Sequence, residues 1–300
     1  MTTRNPFRLP FTPHPLDVTR LTAADHALLG RLLDGVSFRH VHLDWQTLPE
    51  VLRSPDFRCR TTREGTHIRA AIGATIQQSP YDTKKVAWLR LILPGDGPRH
   101  DPALDLAWEA LRADLVQEGV ALAGLLSLDP WIEIPAERWG FARTNGVVTL
   151  RRDAGLVPEP PQPPLAIREV MAADFDAVAD VDGMAFESIW HHNRAALEGA
   201  SRQAATFTLL EDGQNILGYQ LSTWHIDTGH LARLAIRPDR QGKGLGALLV
   251  GEMIRFFDAR NVHHITVNTQ EDNIASQRLY HRLGFRPAGH SVAYWSIDLS

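Results

Sequence analysis

Apolar positions in the second half of the chain recur with two different periods. A short, mostly apolar run at 231–236 has the length of a buried strand. After a glycine-rich stretch, apolar residues return at intervals of three and four over 245–257, which predicts a helix with one apolar stripe. A β-branched run at 262–268 predicts another strand. The pattern therefore predicts a strand, a loop, a helix and a second strand in close succession.

The same periodicity extends over the whole of 165–300. Turn residues at 211–215 and 227–229 separate apolar runs as they do in hairpins. The predicted elements are strands at 165–170, 205–211, 216–225, 230–237 and 262–269, helices within 172–203, at 243–259 and at 273–283, and two final strands within 285–298.

A proline-rich segment divides the chain near its middle. Residues 155–164 read Gly-Leu-Val-Pro-Glu-Pro-Pro-Gln-Pro-Pro, and proline supplies no amide donor to a sheet and favours extended geometry. At roughly 150 residues per domain, the length of the chain suggests about two domains. The sequence therefore predicts a domain at 1–154, a linker at 155–164 and a second domain at 165–300.

The two halves repeat one pattern. Pro94 and Pro238, each closing an apolar run, lie 144 residues apart, as do Gly140 and Gly284. Ala-Ala-Asp at 23–25 recurs at 172–174, with a slightly larger offset that a short insertion explains. Internal similarity at matching positions indicates a duplicated fold, although a generic α/β domain with accidental similarity is the alternative. In the first copy the pattern predicts a helix at 104–115 and a strand at 120–128.

Three glycines at alternate positions, Gly242, Gly244 and Gly246, precede the predicted helix. Glycines let a backbone turn tightly and approach a ligand without a Cβ atom in the way. The unpaired amides and the positive dipole end of a helix N-terminus favour a phosphate or a pyrophosphate. The spacing differs from that of a P-loop, which needs Ser or Thr after its lysine, and from the G-x-G-x-x-G dinucleotide motif. The loop therefore predicts a phosphate-bearing ligand of another kind.

This part of the sequence resembles the GNAT acetyltransferase superfamily. Gln241, Gly244 and Gly246 match the superfamily's coenzyme A loop, Gln/Arg-x-x-Gly-x-Gly/Ala. The superfamily's closing strand and helix, with the ending Leu-Tyr-x-x-x-Gly-Phe, are matched by Asn268, Asn273, Ala275, Leu279, Tyr280, Gly284 and Phe285. The resemblance covers about residues 165–300.

The resemblance implies acetyl-CoA as the co-substrate and no metal. With the repeat, it implies an α/β (α+β) fold of two tandem GNAT-like domains, each a mixed, mostly antiparallel sheet flanked by helices. The strands at 230–237 and 262–269 are expected to separate at a bulge and to leave a gap for the pantetheine arm. The residues expected to bind the cofactor are Leu234, Ala235, Ile236, Arg240, Gln241, Gly242, Lys243, Gly244, Leu245, Gly246, Asn268 and Asn273.

Acetyl transfer from a thioester to an amine needs a base, donors for the oxyanion and an acid for the departing thiolate. The resemblance places the oxyanion donors on the backbone amides at 234–236 and the acid on Tyr280. The alternative role for Tyr280 is an aromatic ring that packs the last helix.

The base is predicted to be His230. Strand alternation places it on one face with Ala232, Leu234 and Ile236, superfamily members carry an ionisable base there, and a histidine with a pKa near 6.5 suits proton removal at neutral pH. The alternatives are a surface histidine at a turn, with a water wire or a carboxylate such as Glu187 as the base. His191 and His192 are predicted to be solvated residues at a helix end.

The first half lacks the residues for this chemistry. Residues 97–102, Gly-Pro-Arg-His-Asp-Pro, align with the loop at 241–246, and the two prolines have no amide to donate. Ala136 stands where the second half has Tyr280. The first half is therefore predicted to be a degenerate copy that supports the fold or forms one wall of the substrate cleft.

The composition of the chain limits the classes of partner that the protein is expected to bind. The 300 residues carry a net charge of −4, which gives no basic surface for nucleic acid. Cys59 is the single cysteine, which excludes an internal disulfide framework. No apolar run reaches the length of a signal sequence or a membrane span. We expect a cytoplasmic monomer or homodimer with no membrane or nucleic-acid partner.

The predicted function is acetyl-CoA-dependent N-acetylation of a primary amine, with a small molecule as the expected acceptor. The two-domain layout is similar to that of mycothiol synthase-type acetyltransferases, which act on small amines. The alternatives are acetylation of a protein or peptide amine, and an acyl-CoA-binding regulator without turnover. Peptidoglycan-type aminoacyl transferases also pair two such folds, but their charged tRNA fits neither the acidic balance nor the coenzyme A loop.

Overall fold

The computed structural model describes residues 15–95, 101–155 and 165–300. Most of the predicted linker and residues 97–100 of the aligned first-half loop lie outside the described residues. Within these ranges no helix is long and apolar enough to cross a membrane.

The first half alternates strands and helices. Its elements are β1 (Leu16–Arg20), α1 (His26–Gly35), β2 (His40–Val41), α2 (Leu48–Arg53), β3 (Phe57–Glu64), β4 (His67–Gln77), β5 (Lys85–Leu93), α3 (Pro102–Gln117), β6 (Val120–Leu126), α4 (Glu133–Arg138) and β7 (Ala142–Asp153). The predicted helix at 104–115 and strand at 120–128 correspond to α3 and β6.

The second half follows the predicted order of elements throughout. Its elements are β8 (Ala166–Glu169), α5 (Phe175–Ala185), α6 (Arg194–Ser201), β9 (Thr206–Glu211), β10 (Ile216–His225), β11 (Thr228–Ile236), α7 (Leu245–Asp258), β12 (His264–Gln270), α8 (Ile274–Arg282), β13 (Arg286–Pro287) and β14 (Val292–Asp298).

The described strands of both halves join in one sheet. Its order is β1-β3-β4-β5-β6-β14-β7-β12-β11-β10-β9-β8, with β2 beside β5 and β13 beside β7. The last strand, β14, lies between β6 and β7 of the first half, and β7 pairs with β12 of the second. The two halves thus exchange their final strands. The predicted fold class, a mixed and mostly antiparallel sheet with flanking helices in tandem, is confirmed.

Separate apolar cores form on the two halves. Trp108 of α3 is fully buried against the strands of the first half, and Phe257 of α7 is fully buried against those of the second. Both helices present an apolar stripe to the sheet, as the periodicity of their sequences requires. Each half therefore packs its helices on its own part of the sheet.

The central strands β11 and β12 separate part-way along their length. They pair in parallel from Thr228 and His264 as far as Leu231 and Val267, and no pairing continues beyond that point. The register between β10 and β11 shifts there as well, which leaves Ala232 as the extra residue of a β-bulge. The predicted separation at a bulge is therefore present.

The bulge places the His230 side chain on the face of β11 opposite to the predicted one. Before the bulge, Gly229 faces α7, because a Cβ atom there would lie 2.8 Å from the Phe257 ring; His230 therefore points to the opposite side. After the bulge, Leu234 and Ile236 pack on the α7 side. The prediction that His230 shares a face with Leu234 and Ile236 is wrong, because one extra residue inverts the alternation.

The repeat is visible in the backbone. In the first half, β5 and β6 pair only as far as Trp88 and Gly124, and the register of β4 against β5 also shifts at this level. Gly140 and Gly284, each following the last helix of its half, have the same φ of 89°. Both halves therefore contain a pair of parallel strands that separates beside a bulge.

The gap is filled in the first half. The short strand β2 pairs with β5 at Leu91 and Ile92, beyond the last pair of β5 with β6, and the His42 amide continues the pairing to the Arg90 carbonyl at 2.8 Å. In the second half the corresponding edge of β11 has no strand partner among the described residues. Only the second gap is open to a ligand.

Candidate active site

A cavity of about 330 Å³ lies where β11 and β12 separate. Small-molecule sites are typically concave pockets of at least this order. Its walls come from both halves: His42, Asp44, Trp45, Gln77, Trp88, Arg90, Leu126 and Val147 from the first, and Phe186, 189–192, 230–234, 267–270, Asn273, Ser276 and Tyr280 from the second. The predicted residues His230, Leu234, Asn268, Asn273 and Tyr280 are thus brought together. Ala235 points instead into the core beside α5.

The loop before α7 has the geometry of an anion site. Gly242 and Gly244 have φ values of 75° and 80°, in the left-handed region that glycine adopts without strain. Nothing lies within 4 Å of a Cβ atom placed at either residue, so the loop is open on that side. Within the described residues the backbone amides of 242–246 have no hydrogen-bond partner. Five unpaired donors and the positive end of the helix dipole therefore lie together in this loop.

Other residues of the loop hold it in shape. The Gln241 side chain donates to the Ile236 carbonyl at 3.0 Å, and Lys243 Nζ donates to the Asp239 carbonyl at 3.3 Å. A Cβ atom at Gly246 would lie 3.1 Å from Leu279, so this glycine allows α7 to approach α8. Gly246 thus serves helix packing, whereas Gly244 faces the open side.

The free edge of β11 supplies donors beside the cavity. The Arg237 amide bonds to the Leu217 carbonyl of β10 at 2.9 Å. Because backbone groups in an antiparallel pair point alternately to the two sides, those of Leu234 and Ile236 point away from β10 into the gap. Amides in this position are suited to a pantetheine arm or to an oxyanion.

Two asparagines line the cavity from the opposite strand: Asn268 lies in β12 and Asn273 follows it. Asn268 accepts a hydrogen bond from the Thr149 hydroxyl at 2.8 Å. Asn273 caps α8 by accepting from the Ser276 amide at 3.0 Å. Both are held in fixed positions at the cavity wall, and Asn273 has a structural role in starting the helix that carries Tyr280.

Tyr280 lies at the inner end of the cavity. Only 4% of the residue is exposed, and its ring centroid lies 5.7 Å from that of Phe285. Within the described residues its hydroxyl has no hydrogen-bond partner, although it lines the cavity. Burial raises the pKa of Tyr280 above its ordinary value. The hydroxyl therefore keeps its proton at neutral pH, as a proton donor must.

His230 is part of the same cavity. Its Nδ1 lies 2.9 Å from the Thr266 hydroxyl, which fixes the orientation of the ring. Burial lowers the pKa of His230 below its ordinary value. The imidazole is therefore neutral at pH 7, the form that accepts a proton. Glu187, the alternative base, is exposed and is not among the cavity residues.

A buried ion pair beside the cavity was not predicted. Asp182 of α5 is completely buried, and both of its oxygens accept hydrogen bonds of 2.7 Å from Arg233. The Tyr219 hydroxyl also donates to this carboxylate. Burial raises the pKa of Asp182, but the charge and hydrogen bonds of Arg233 outweigh that effect and lower it. Asp182 is therefore a fixed anion that orients Arg233 at the cavity wall.

Comparison with known proteins identifies the second half. Residues 168–285 match the family described as Acetyltransferase (GNAT) family. This part of the second half is therefore similar to the GNAT acetyltransferases. A mycothiol acetyltransferase of Actinosynnema mirum is 30% identical over 173 residues, which cover 53% of this chain and 58% of that protein. The alignment thus covers little more than half the length of this relative.

Other relatives have different acceptors in their names. A putative ribosomal protein bS18-alanine N-acetyltransferase of Bacillus subtilis is 23% identical over 132 residues, covering 44% of this chain and 87% of that protein. A solved tandem GNAT protein from the clavulanic acid biosynthesis pathway has a TM-score of 0.61 at 15% identity, covering 95% of this chain and 99% of that chain. The latter similarity shows a common tandem GNAT fold.

The ion pair also holds the segment between α5 and α6 at the cavity wall. The His192 amide donates to Asp182 at 2.6 Å, and Arg233 donates to the Trp190 carbonyl at 2.7 Å. This anchors the segment between α5 and α6. His191 is buried, and burial lowers the pKa of His192 to about 4. The prediction that these two histidines are solvated is wrong, because Asp182 draws the segment inward.

The sequence contains a signal for each member of the ion pair. Asp182 continues the buried stripe of Val178 and Val181 on α5, and Arg233 interrupts an otherwise apolar strand. A charged residue within a buried stripe normally has a buried partner of opposite charge. The sequence indicates that each residue is paired but not that they pair with each other.

The first half forms hydrogen bonds to the second half beside the cavity. Gln77 donates to the Ser188 carbonyl at 2.6 Å, and the Trp88 indole donates to the Ile189 carbonyl at 2.5 Å. These bonds join β4 and β5 to the anchored segment of the second half. The first half therefore forms one wall of the cavity, as one of its two predicted roles required.

Replacing His230 with Ala tests the base. We expect turnover at neutral pH to fall roughly a hundredfold to ten-thousandfold, the range for general base catalysis, with unchanged acetyl-CoA affinity. Since the pKa of His230 is lowered, the wild-type rate should fall with acidity below about pH 6.5, as the ring gains its proton. That acidic limb should be lost in the variant. A full pH–rate profile, with the exposed His67→Ala as control, checks this; an unchanged acidic limb would assign the proton transfer to a water wire or a carboxylate.

Proposed function

We propose that this protein transfers the acetyl group of acetyl-CoA to a primary amine of a small molecule. The observation that carries the proposal is the cavity, which joins the open gap of β11 to a wall supplied by the first half. A wall so close to Tyr280 and His230 limits the acceptor side to a compact molecule. The residues at 165–300 are proposed as the catalytic domain and those at 1–154 as its degenerate partner.

In the proposed reaction, the residues of the cavity have separate roles. The neutral His230 takes a proton from the acceptor ammonium, directly or through a water molecule. The free amine attacks the thioester carbonyl, and the amides of Leu234 and Ile236 stabilise the oxyanion. The C–N bond forms in a tetrahedral intermediate. As this intermediate collapses, the C–S bond breaks and Tyr280 donates its proton to the departing sulfur, while the second proton lost by the nitrogen passes through water to the Tyr280 oxygen. The products are the N-acetylated amine and free coenzyme A.

Only one site for acetyl-CoA is expected in each chain. In the first half β2 fills the gap that the pantetheine arm would need. The N-terminus of α3 also carries its own anion, since Asp101 accepts a hydrogen bond from the Leu104 amide at 3.1 Å. A carboxylate at this position repels a pyrophosphate. These two features support the proposal that the first half does not bind the cofactor.

A carboxylate introduced at Gly244 tests the cofactor loop. The Gly244→Asp variant should bind acetyl-CoA with an affinity lower by about 1–4 kcal/mol, or roughly fivefold to a thousandfold, because the new charge would lie close to the pyrophosphate. Isothermal titration of the wild type should give one acetyl-CoA per chain. Thermal protection by the ligand, about 2.7 kcal/mol at a hundredfold excess over Kd, should be lost in the variant.

Gly65→Asp is the matched control. Gly65 also has a left-handed backbone, with φ of 60°, and open space around its Cβ position, but it lies in the turn between β3 and β4. The Gly65→Asp substitution introduces similar backbone strain and the same charge, but away from the loop at 241–246. Equal binding of acetyl-CoA by the wild type and a folded Gly244→Asp protein would contradict the loop assignment, and two equivalent sites would contradict the degenerate first half.

The activity itself is tested by release of free thiol from acetyl-CoA. The wild-type protein should release thiol with at least one member of a panel of small amines, aminoglycosides and amino acids, and should prefer these to peptides. Turnover of peptides alone would favour a protein acceptor. Tight acetyl-CoA binding with no turnover of any acceptor would favour a regulator.

A further inference from the structure

The segment that follows β2 brings a carboxylate from the first half into the cavity. Because β2 is held in the first-half gap by β5, residues 42–45 leave it toward the second half. Asp44 then lines the cavity together with His230 and Tyr280. The carboxylate is thus supplied by the copy that is not expected to bind acetyl-CoA.

Asp44 is held in a defined position. One oxygen accepts a hydrogen bond of 2.5 Å from Arg90, and the other lies 2.9 Å from Nε2 of His42. The backbone of Asp44 has a φ of 48°, in the left-handed region that residues other than glycine seldom adopt. Such backbone outliers concentrate at binding and catalytic sites.

Asp44 presents the most open charge on the cavity wall. Its side chain is 28% exposed, whereas those of Arg90 and Arg233 are 7% and 12% exposed. Arg233 is neutralised by the buried Asp182. A carboxylate has about four positions for hydrogen bonds, and two of those on Asp44 are used. The Asp44 carboxylate can therefore accept further hydrogen bonds from a ligand.

The carboxyl group of Asp44 is ionised beside the cavity, and three of the nearby imidazoles are neutral. Burial raises the pKa of Asp44, but Arg90 and His42 outweigh it and lower the pKa well below its ordinary value. Asp44 is therefore ionised at neutral pH. Burial lowers the pKa values of His191, His192 and His230, so these rings add no positive charge at the same pH.

We infer that Asp44 determines acceptor specificity by binding the positively charged group of the acceptor. This rests on the proposed function and narrows it: the substrate is a cationic amine, and an amine that carries a carboxylate is disfavoured. Trp45, Trp88 and Trp190 line the same cavity, with the last two rings 5.2 Å apart. The apolar part of the acceptor packs on these rings, and aromatic faces also attract cations.

The test uses three acceptors with one ring and one amine: 2-phenylethylamine, phenylalanine amide and phenylalanine. Thiol release by the wild-type protein should give a kcat/KM for the first two at least about tenfold above that for phenylalanine, since only phenylalanine has a carboxylate for Asp44 to repel. The amide separates the effect of charge from that of size.

Asp44→Asn tests the residue. Asn tolerates a left-handed backbone, so the segment should keep its shape. The variant should raise KM for the two cationic acceptors roughly tenfold, reduce their advantage over phenylalanine, and leave KM for acetyl-CoA unchanged. Asp34→Asn, at an exposed position of α1, is the control. Because the wild-type comparison needs no variant, it tests the inference even if Asp44→Asn fails to fold.

The outcomes separate the inference from the proposed function. Equal use of phenylalanine and its amide by the wild type, or unchanged discrimination in a folded Asp44→Asn protein, would overturn the role of Asp44. Turnover of carboxylate-bearing acceptors alone would also overturn it and would leave the acetyltransferase proposal intact. Absence of thiol release with every acceptor would overturn both.

Discussion

Tyr280→Phe is expected to retain acetyl-CoA affinity and to lose a factor of roughly a hundred to ten thousand in turnover, the range for a general acid. The hydroxyl is the only group removed, and within the described residues it has no protein partner, so the fold should be unaffected. Because burial raises the pKa of Tyr280, the wild-type hydroxyl keeps its proton at pH 7 and at pH 9. The loss should therefore be similar at both pH values in steady-state measurements.

Tyr294→Phe is the matched control for this prediction. Its hydroxyl is also buried without a hydrogen-bond partner, and Tyr294 is not among the residues that line the cavity. Loss of a buried unpaired hydroxyl should leave both stability and turnover close to those of the wild type. If Tyr280→Phe were as active as Tyr294→Phe, Tyr280 would have a packing role only.

Asp182→Ala should have the largest effect on stability. Its removal leaves Arg233 as a buried cation with no counter-charge, which typically costs about 3–5 kcal/mol. The segment carrying Trp190 and His192 also loses its anchor, so KM for the acceptor should rise more than KM for acetyl-CoA. Urea unfolding monitored by circular dichroism measures the first effect, and steady-state kinetics measures the second.

Two comparisons sharpen this prediction. Asp180→Ala changes an exposed residue of the same helix and should cost no more than about 0.5 kcal/mol. Because the folded pKa of Asp182 is lowered, its stabilising effect is complete above the unfolded value of about 3.9 and is lost as pH falls further. The variant and the wild type should therefore converge in stability only in acid. A loss below about 1 kcal/mol at pH 7 would show that Arg233 finds another partner.

The sequence alone determined the local structure of the second half. Strands, helices and the loop at 241–246 each span a few consecutive residues, so their periodicity and glycine spacing are readable without tertiary information. The tandem repeat was readable for the same reason. The boundaries of the linker stay a prediction, as do the roles of Tyr280 and His230, because no ligand or activity measurement tests them.

Tertiary structure decided how those elements meet. A single extra residue at Ala232 inverted the faces of β11, since side chains alternate strictly along a strand. The exchange of β7 and β14 between the halves depends on pairing between residues more than a hundred positions apart. Neither feature changes the local pattern of apolar and polar residues, so neither leaves a periodic signal.

The same distinction applies to the site. The loop glycines and Tyr280 belong to contiguous motifs, and the sequence identified them. Asp182 and Arg233 are 51 residues apart, and Asp44 reaches the cavity only because β2 occupies the gap beside β5. Charge pairing and packing between such distant residues depend on the folded arrangement of the whole sheet. The sequence determined which residues form the glycine-rich loop, and only the tertiary structure decided which charges line the cavity.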